Sequence, residues 1–200
     1  MKLSALFNRI RSVPYARTES DGSYYFERRG NTLYLFFQES VEKKDWRNNF
    51  DFPAKPYRDM EIKWYVHRGF LRVWKEIKER VKEQIADETV KKIVVAGYSH
   101  GAAIAVLCYE FCVFHRPSAA VVGYGFGCPR VLFGFPPKEI RDRFCNFYVI
   151  RNSSDIVTHL PPKCFGYRHV GNILHIGLNS RYGLIKSHLA ENYIHELQNM

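Results

Sequence analysis

The feature that most constrains this chain is a strand–helix–strand pattern in its middle. Residues 93–96 form a short apolar run, residues 102–114 are almost entirely apolar over a length typical of a helix, and residues 119–125 form a second apolar run. A helix that is apolar all round is buried, and short continuous apolar strands are typical of a parallel sheet covered on both faces. The pattern therefore predicts an α/β fold with a parallel sheet and helices on both faces.

The rest of the chain adds an antiparallel hairpin and further elements to this unit. Residues 23–28 and 32–38 are rich in aromatic side chains and flank Arg29-Gly30-Asn31, which predicts two strands and a tight turn. Residues 40–60 are charged and contain two prolines, which predicts a loop or a short exposed helix. Apolar periodicity predicts strands over 62–67, 144–151 and 167–176 and helices over 69–86 and 187–197. With 200 residues, we expect one domain, 1–200.

The first residues and the cysteines bear on the compartment. Apolar side chains from Leu3 to Val13 recur at helical spacing, which predicts an amphipathic helix packed on the domain. Asn8, Arg9 and Arg11 interrupt any signal-like apolar run, and no run is long enough to span a bilayer. The odd number of cysteines, without metal-type spacing, predicts reduced core residues and a cytoplasmic location. The cysteines are Cys108, Cys112, Cys128, Cys145 and Cys164.

The chain is basic, with 30 Lys+Arg against 20 Asp+Glu and a formal net charge of +10. The excess is spread over both halves, and no basic run or nucleic-acid motif appears. We therefore expect no nucleic-acid partner. The charge favours solubility and is compatible with peripheral contact with an anionic membrane surface.

Gly97-Tyr98-Ser99-His100-Gly101 stands between the first apolar strand and the apolar helix. This is the strand–turn–helix context that a G-x-S-x-G nucleophile turn requires. The turn projects the serine hydroxyl above the sheet, so its neighbours two residues away must lack bulk. The helix that follows points its N–H groups and positive dipole end at charge developing on an attacked carbonyl. The pattern predicts a nucleophile at Ser99, and an ordinary serine in a tight turn is the alternative.

A nucleophilic serine needs a histidine base and a carboxylate that orients the base. Sheets with this turn provide them in the order serine, acid, histidine. Among the acids after Ser99, Asp155 alone directly follows a buried strand, at the edge where such sheets place their chemistry. Asp155 is the predicted acid, with an Asx-turn residue as the alternative. His188 follows a loop and opens the last helix, so it is the predicted base; His195 and His169 remain alternatives.

With these residues assembled, the chain resembles the class 3 lipases, the fungal-lipase-like branch of the α/β-hydrolases. The resemblance covers about residues 32–195 and depends on several motifs in order. They are Val66-His67-Arg68-Gly69-Phe70, the turn around Ser99, the segment 125–131 (GFGCPRV), the segment 152–162 (NSSDIVTHLPP) and His188 to Tyr193. It implies the α/β-hydrolase fold, with a mostly parallel sheet and the N-terminal hairpin, and it assigns Ser99, Asp155 and His188 to a catalytic triad.

The resemblance also implies an oxyanion hole and a lid. Phe37-Gln38-Glu39-Ser40 stands where the family has F-R-G-[ST], so Ser40 and the backbone N–H of His100 are the predicted donors. Glu39 replaces the family's glycine and places a carboxylate beside the hole. Residues 41–58 correspond to the lid, with Asp45, Trp46 and Phe50 as lid residues. Trp46 and Phe50 would equally suit a short helix packed on the domain.

These residues predict a hydrolase of carboxylic esters, of triacylglycerol lipase or esterase type, acting through an acyl-enzyme. Neither a metal nor a cofactor is implied. The polar lid segment favours an esterase or a lipase of modest interfacial activation. One alternative is a phospholipase A1 or lysophospholipase acting on anionic lipids, and another is a catalytically silent relative that binds lipid or protein. The sequence leaves the acyl length, the head group and the oligomeric state open.

Overall fold

A computed structural model describes residues 2–20, 22–38, 53–57, 64–178 and 182–200. Its central feature is a seven-stranded sheet. The strands are β1 (Ala16–Arg17), β2 (Ser23–Arg29), β3 (Thr32–Gln38), β6 (Lys92–Tyr98), β7 (Ala120–Phe126), β9 (Phe147–Asn152) and β11 (Asn172–Ile176), and they follow one another across the sheet in this order. The last five strands, β3, β6, β7, β9 and β11, run parallel, and β1, β2 and β3 pair antiparallel. The predicted α/β-hydrolase fold with its N-terminal hairpin is confirmed.

Helices cover both faces of this sheet and bury two separate cores. Side chains of a strand alternate between faces, so Leu35 of β3 joins one core and Phe36 joins the other. The helices are α1 (Leu3–Ser12), α2 (Arg68–Ile85), α3 (His100–His115), α4 (Lys138–Arg143) and α5 (Ala190–Gln198). The larger core packs α2 and α3 on the sheet, and the smaller core packs α1 and α5 on the opposite face.

The N-terminal helix packs on the domain, as its periodicity predicted. Leu6, Phe7 and Ile10 of α1 are buried, while its arginines lie on other sides of the helix. The Phe7 ring contacts the rings of Tyr98 and Tyr193 at 5.2 and 5.6 Å between centroids. This helix therefore lies directly beneath the turn that carries Ser99.

A second, four-stranded antiparallel sheet was not predicted. Its order is β10-β8-β5-β4, and its strands are β4 (Ala54–Tyr57), β5 (Trp64–His67), β8 (Leu132–Phe133) and β10 (Tyr167–Arg168). Residues 54–57, predicted as part of a loop or helix, are thus a strand paired with β5. The predicted strand 167–176 is two strands in two sheets. Gly171 separates them with φ of 75°, and a Cβ there would lie 2.3 Å from the carbonyl oxygen of Phe147.

The cysteines only partly match the prediction that all five belong to the core. Cys108, Cys112 and Cys128 are buried, whereas Cys145 and Cys164 are exposed; all five are free thiols. Cys145 lies in the 3₁₀ turn Phe144–Asn146, just after the charged helix α4, and Cys164 lies in the 3₁₀ turn Lys163–Phe165, and apolar neighbours in sequence do not bury a side chain in such a turn. Within the described residues, no helix is long and apolar enough to cross a membrane.

Candidate active site

The turn from β6 to α3 holds the backbone of Ser99 in a conformation that residues other than glycine rarely adopt. Ser99 has φ of 55° and ψ of −125°, and its N–H donates to the carbonyl oxygen of Phe126, 2.9 Å away. A Cβ on Gly97 would lie 2.3 Å from the carbonyl oxygen of Gly101. The glycines therefore permit the tight turn, and the strain that it stores, about 1–3 kcal/mol, is typical of functional sites.

The second glycine of the turn allows α3 to approach β3 closely. A Cβ on Gly101 would lie 2.4 Å from the carbonyl carbon of Phe37. The first turn of α3, beginning at His100, therefore lies against the carboxyl end of β3. The first N–H groups of a helix lack partners within the helix, so this edge offers donors and a positive dipole end beside Ser99.

The structure brings Ser99, His188 and Asp155 together. The hydroxyl Oγ of Ser99 lies 2.8 Å from Nε2 of His188, and Nδ1 of His188 lies 2.9 Å from Oδ2 of Asp155. With the ring proton on Nδ1, His188 donates to Asp155 and accepts from Ser99. All three residues are buried, and the Asp155 carboxylate has no exposure at all.

The Asp155 carboxylate is held by further donors. Oδ1 accepts from the N–H of Val157 at 2.9 Å, because Asp155 caps the short 3₁₀ turn Ile156–His159. Oδ2 accepts from the hydroxyl of Tyr193 at 2.7 Å in addition to the His188 ring. Burial and the Asp155 charge raise the pKa of Tyr193 well above its usual value, so Tyr193 stays a neutral donor.

The His188 ring is positioned by aromatic stacking and by its backbone. The ring lies stacked on Tyr98 at 5.3 Å, and the Tyr98 hydroxyl donates to the His188 carbonyl oxygen. His188 ends the 3₁₀ turn Lys186–His188, just before α5, and therefore precedes the helix that it was predicted to open. Gly127, with φ of 57°, leaves room for the ring: a Cβ there would lie 2.9 Å from Cε1 of His188.

The sequence did not identify three of these supporting residues as functional: Tyr98, Gly127 and Tyr193. Each lay within a motif that was recognised, but a motif does not say which side chain touches which. The signal for Tyr193 was its spacing: five residues after His188, it lies on the first turn of α5 and points back to the triad. The aromatic character of Tyr98 gave no comparable signal, because most strand residues here are apolar.

The alternative bases lie elsewhere. His169 hydrogen-bonds through Nε2 to the carbonyl oxygen of Thr158 at 2.7 Å, and His195 is on the solvent side of α5 beside Glu196. The buried acid Glu110 pairs with Arg143 at 2.7 Å, on the helix after the nucleophile turn. None of these three groups contacts the Ser99 hydroxyl.

Several predicted residues lie outside the described residues: Ser40 of the oxyanion hole, and Asp45, Trp46 and Phe50 of the lid. Their roles stay predictions. Of the predicted lid range 41–58, residues 53–57 are described, and they include β4. His100, the other predicted donor, is described; its ring meets the Phe70 ring edge to face at 5.3 Å between centroids.

Comparison with known proteins fits this geometry. The family model of the class 3 lipases matches residues 34–165, two thirds of the chain. The chain belongs to the class 3 lipase family. The matched range contains the Ser99 turn and Asp155, and it ends before His188.

This class 3 lipase family member is similar to two lipases by sequence and to one solved lipase structure by fold. Secreted mono- and diacylglycerol lipase 1 of Fusarium solani is 31% identical over 134 residues, covering 65% of this chain and 39% of its own. The lipase of Rhizomucor miehei is 30% identical over 165 residues, covering 74% and 43%. The structure of the Rhizomucor miehei triacylglyceride lipase has a TM-score of 0.70 at 24% identity, covering 84% of this chain and 67% of that one. The chain thus spans about two fifths of the length of the relatives that it matches.

The prediction of a cytoplasmic location is wrong, because the matched Fusarium solani relative is a secreted lipase. That prediction depended on residues 1–18 and on the cysteines. Within the first of these, Leu3–Ser12 is a helix packed on the sheet, and two of the five cysteines are exposed and not in the core.

Proposed function

We propose that this class 3 lipase family member hydrolyses carboxylic esters, as a triacylglycerol lipase or esterase with a serine nucleophile. One observation carries the proposal: the unbroken hydrogen-bond chain from the Ser99 hydroxyl through the His188 ring to the buried Asp155 carboxylate. A base within hydrogen-bond distance of a hydroxyl, itself oriented by a carboxylate, is the arrangement that makes serine nucleophilic.

In the proposed reaction, Oγ of Ser99 forms a bond to the acyl carbon of the ester while Nε2 of His188 takes the hydroxyl proton. The tetrahedral oxyanion then collapses, and the alcohol leaves with the proton that His188 carried. Water attacks the acyl-enzyme in the same way: His188 takes its proton, the acid is released, and the proton returns to Ser99. Asp155 stays ionised and stabilises the imidazolium in both steps.

The oxyanion would be stabilised at the start of α3. The backbone N–H of His100 directly follows the nucleophile, and the dipole of the sixteen-residue helix adds positive potential there. Ser40 is the proposed second donor. Loss of one such donor costs about 10²–10³ in kcat in serine hydrolases.

The proposed substrates are acylglycerols. The Fusarium solani relative is a mono- and diacylglycerol lipase and the Rhizomucor miehei relative is a lipase, and they are 31% and 30% identical to this chain over the matched residues. The chain spans less than half of each relative. Rates of hydrolysis measured on mono-, di- and triacylglycerols would show which of them this chain prefers.

Replacement of the nucleophile tests the proposal. We expect Ser99→Ala to abolish hydrolysis of p-nitrophenyl butyrate and labelling by a fluorophosphonate, because both need the Ser99 oxygen. Ser118→Ala is the matched control, since Ser118 is exposed in a turn after α3. The control should react like the parent.

Two results would contradict the proposal. Hydrolysis by Ser99→Ala at the parent's rate would mean that another group carries the reaction. A folded parent that neither hydrolyses the ester nor reacts with the fluorophosphonate would be a catalytically silent relative.

A further inference from the structure

One edge of the seven-stranded sheet is open to solvent. β11 is the last strand of that sheet, and among the described strands it pairs with β9 alone. Residues 171–175 are all exposed, and the apolar Ile173 and Leu174 are 41% and 38% exposed. Proteins usually protect such an edge with charged side chains, proline or a bulge. β11 contains no Lys, Arg, Asp, Glu or Pro, and its register with β9 is continuous.

The opposite edge of the sheet is protected. β1 has only two residues, Ala16 and Arg17, and one of them is charged. A short, charged edge strand is a poor template for another strand. A head-to-tail contact between β11 of one copy and β1 of another would therefore have little backbone to form on. The edge that can pair with another chain is β11.

The backbone groups that β11 presents to a partner belong to Ile173 and His175. The carbonyl oxygen of Ile176 accepts from the N–H of Ser153, which directly follows β9, at 2.9 Å. The backbone of Ile176 therefore faces β9. Since backbone groups of successive strand residues point to alternate sides, Leu174 also faces β9, and the N–H and C=O of Ile173 and His175 face outward. No described group outside β9 bonds to these four groups.

A second copy of β11, antiparallel to the first, satisfies all four groups. With Leu174 on a two-fold axis, Ile173 of each copy lies opposite His175 of the other. Residues that are opposite in this way exchange both of their N–H···O bonds, so four hydrogen bonds form across the axis. Every outward backbone group of Ile173 and His175 then has a partner. The edge is therefore complementary to itself.

The side chains fit the same register. Ile176 belongs to the smaller core, so Leu174 lies on that face of the sheet, and Ile173 and His175 lie on the other. Across the axis, the two copies of Leu174 would meet with Cα atoms about 4.5 Å apart and would cover apolar surface that the single chain exposes. No two like charges would face each other, because the strand carries no acidic residue, lysine or arginine.

We propose that this chain forms a two-fold symmetric dimer, in which the β11 strands of two copies pair antiparallel and join their sheets into one. Each copy uses the same surface, so the contact is closed and assembly stops at the dimer. The strands of the two copies run in opposite directions, so the two Ser99 turns, at the carboxyl ends of β6, lie at opposite ends of the joined sheet. Neither site needs the other copy, and the dimer does not depend on the proposed function.

Sedimentation equilibrium of the full chain over a range of concentrations tests the dimer. We expect a monomer–dimer equilibrium for the parent. Leu174→Lys places two like charges on the two-fold axis. His175→Pro removes an outward N–H, and with it two of the four hydrogen bonds, while the bonds to β9 stay intact. Each change should raise the dissociation constant of the dimer at least about ten-fold.

The matched control is Leu184→Lys. Leu184 is 55% exposed and lies in the turn before His188, outside β11, so the variant adds the same charge without touching the edge. It should dimerise like the parent. A dimer weakened by Leu184→Lys and not by the two β11 variants would associate through that turn, which would overturn the proposal. So would a parent that stays monomeric at every concentration, or one that forms assemblies larger than a dimer.

Cross-linking tests the register without weakening the contact. The background is Cys145→Ser/Cys164→Ser, which removes the two exposed thiols. In it, Leu174→Cys would place two thiols opposite each other, with Cα atoms about 4.5 Å apart, within the range of disulfides. We expect mild oxidation with copper phenanthroline to cross-link this variant into dimers.

Ile173→Cys in the same background is the control for the register. Its Cα would lie about 8 Å from that of the same residue in the other copy, which is too far for a disulfide. It should remain uncross-linked. Equal cross-linking of the two variants, or a Leu174→Cys protein that sediments as a dimer and does not cross-link, would overturn the proposed pairing.

Discussion

At the scale of single residues, the Asp155 carboxylate is the most constrained group of the site. Three donors converge on it: the N–H of Val157, the His188 ring and the Tyr193 hydroxyl. A buried carboxylate is costly unless hydrogen bonds satisfy its oxygens, and here they also fix its direction. The orientation of the His188 ring therefore depends on residues that never meet the substrate.

Tyr193→Phe tests this positioning role. Loss of a hydrogen bond to a charged group costs about 1.5–3 kcal/mol, and Asp155 would then hold His188 less well. We expect kcat on p-nitrophenyl butyrate to fall about ten-fold, with KM nearly unchanged, and fluorophosphonate labelling to slow in parallel.

The control for this variant is Tyr182→Phe, which removes a hydroxyl that contacts His195, a surface residue of α5. It should keep the parent's kcat. If Tyr193→Phe were stably folded and fully active, the third donor to Asp155 would have no part in positioning the base.

The sequence singled out Ser99, Asp155 and His188, which the structure brings together, because the proposed roles need particular residue types after particular elements. The sequence did not predict the contacts that Tyr98 and Tyr193 make with His188 and Asp155. The ring of Tyr98, at the end of β6, lies 5.8 Å from the ring of Tyr193 in α5, and no local pattern encodes that distance.

At the scale of elements, the site depends on how closely α3 approaches the end of β3. Gly101 makes that approach possible, since a Cβ would meet the backbone of Phe37 and Gln38 at 2.4–2.5 Å. Backbone atoms cannot rotate away as a side chain can. Any side chain at position 101 must therefore push the first turn of α3, and with it the His100 N–H, away from the sheet.

We expect Gly101→Ala to destabilise the fold by about 1–3 kcal/mol or more, the usual cost of overpacking. Urea denaturation measures this change, and fluorophosphonate labelling of the folded fraction should slow because the turn around Ser99 has moved. Gly183→Ala is the matched control, since a Cβ there would have no atom within 4 Å. A Gly101→Ala protein as stable and reactive as the control would show that α3 can shift freely.

Elements with strong apolar periodicity were predicted well, and short ones were not. The segments that became α2, α3 and β7 were each placed within a few residues, since one face or all faces are apolar. The strands β4, β8 and β10 have two to four residues each, which is too short for any period to show. They exist because the small sheet pairs them, and that pairing is a long-range property.

At the scale of the whole molecule, His169 links stability to pH. Burial and the nearby charges of Arg151 and Arg130 lower the pKa of His169 from 6.5 to about 3. The unfolded chain therefore binds a proton at His169 between about pH 6.5 and 3 that the folded chain does not. The contribution of His169 to the free energy of unfolding is therefore fully present above pH 6.5, and it is lost as the pH falls towards 3.

His169→Gln should make the stability less dependent on pH. A glutamine amide can still donate to the Thr158 carbonyl oxygen, but it does not titrate. We expect the slope of unfolding free energy against pH, between about pH 6.5 and 3, to decrease by up to about 1.4 kcal/mol per pH unit. Urea denaturation at several pH values measures it, with His175→Gln, at an exposed position of β11, as the control. An unchanged slope would mean that His169 takes up its proton in the folded state.

The packing of α1 against α5 has a consequence for folding. Phe7 touches Tyr193, the residue that holds Asp155, so two helices far apart in sequence meet at the base of the site. The hydroxyl of Ser99 has no base until the segment that carries His188 has docked beside it. Fluorophosphonate reactivity of the serine would therefore report the moment at which α1, α5 and the Ser99 turn come together during refolding.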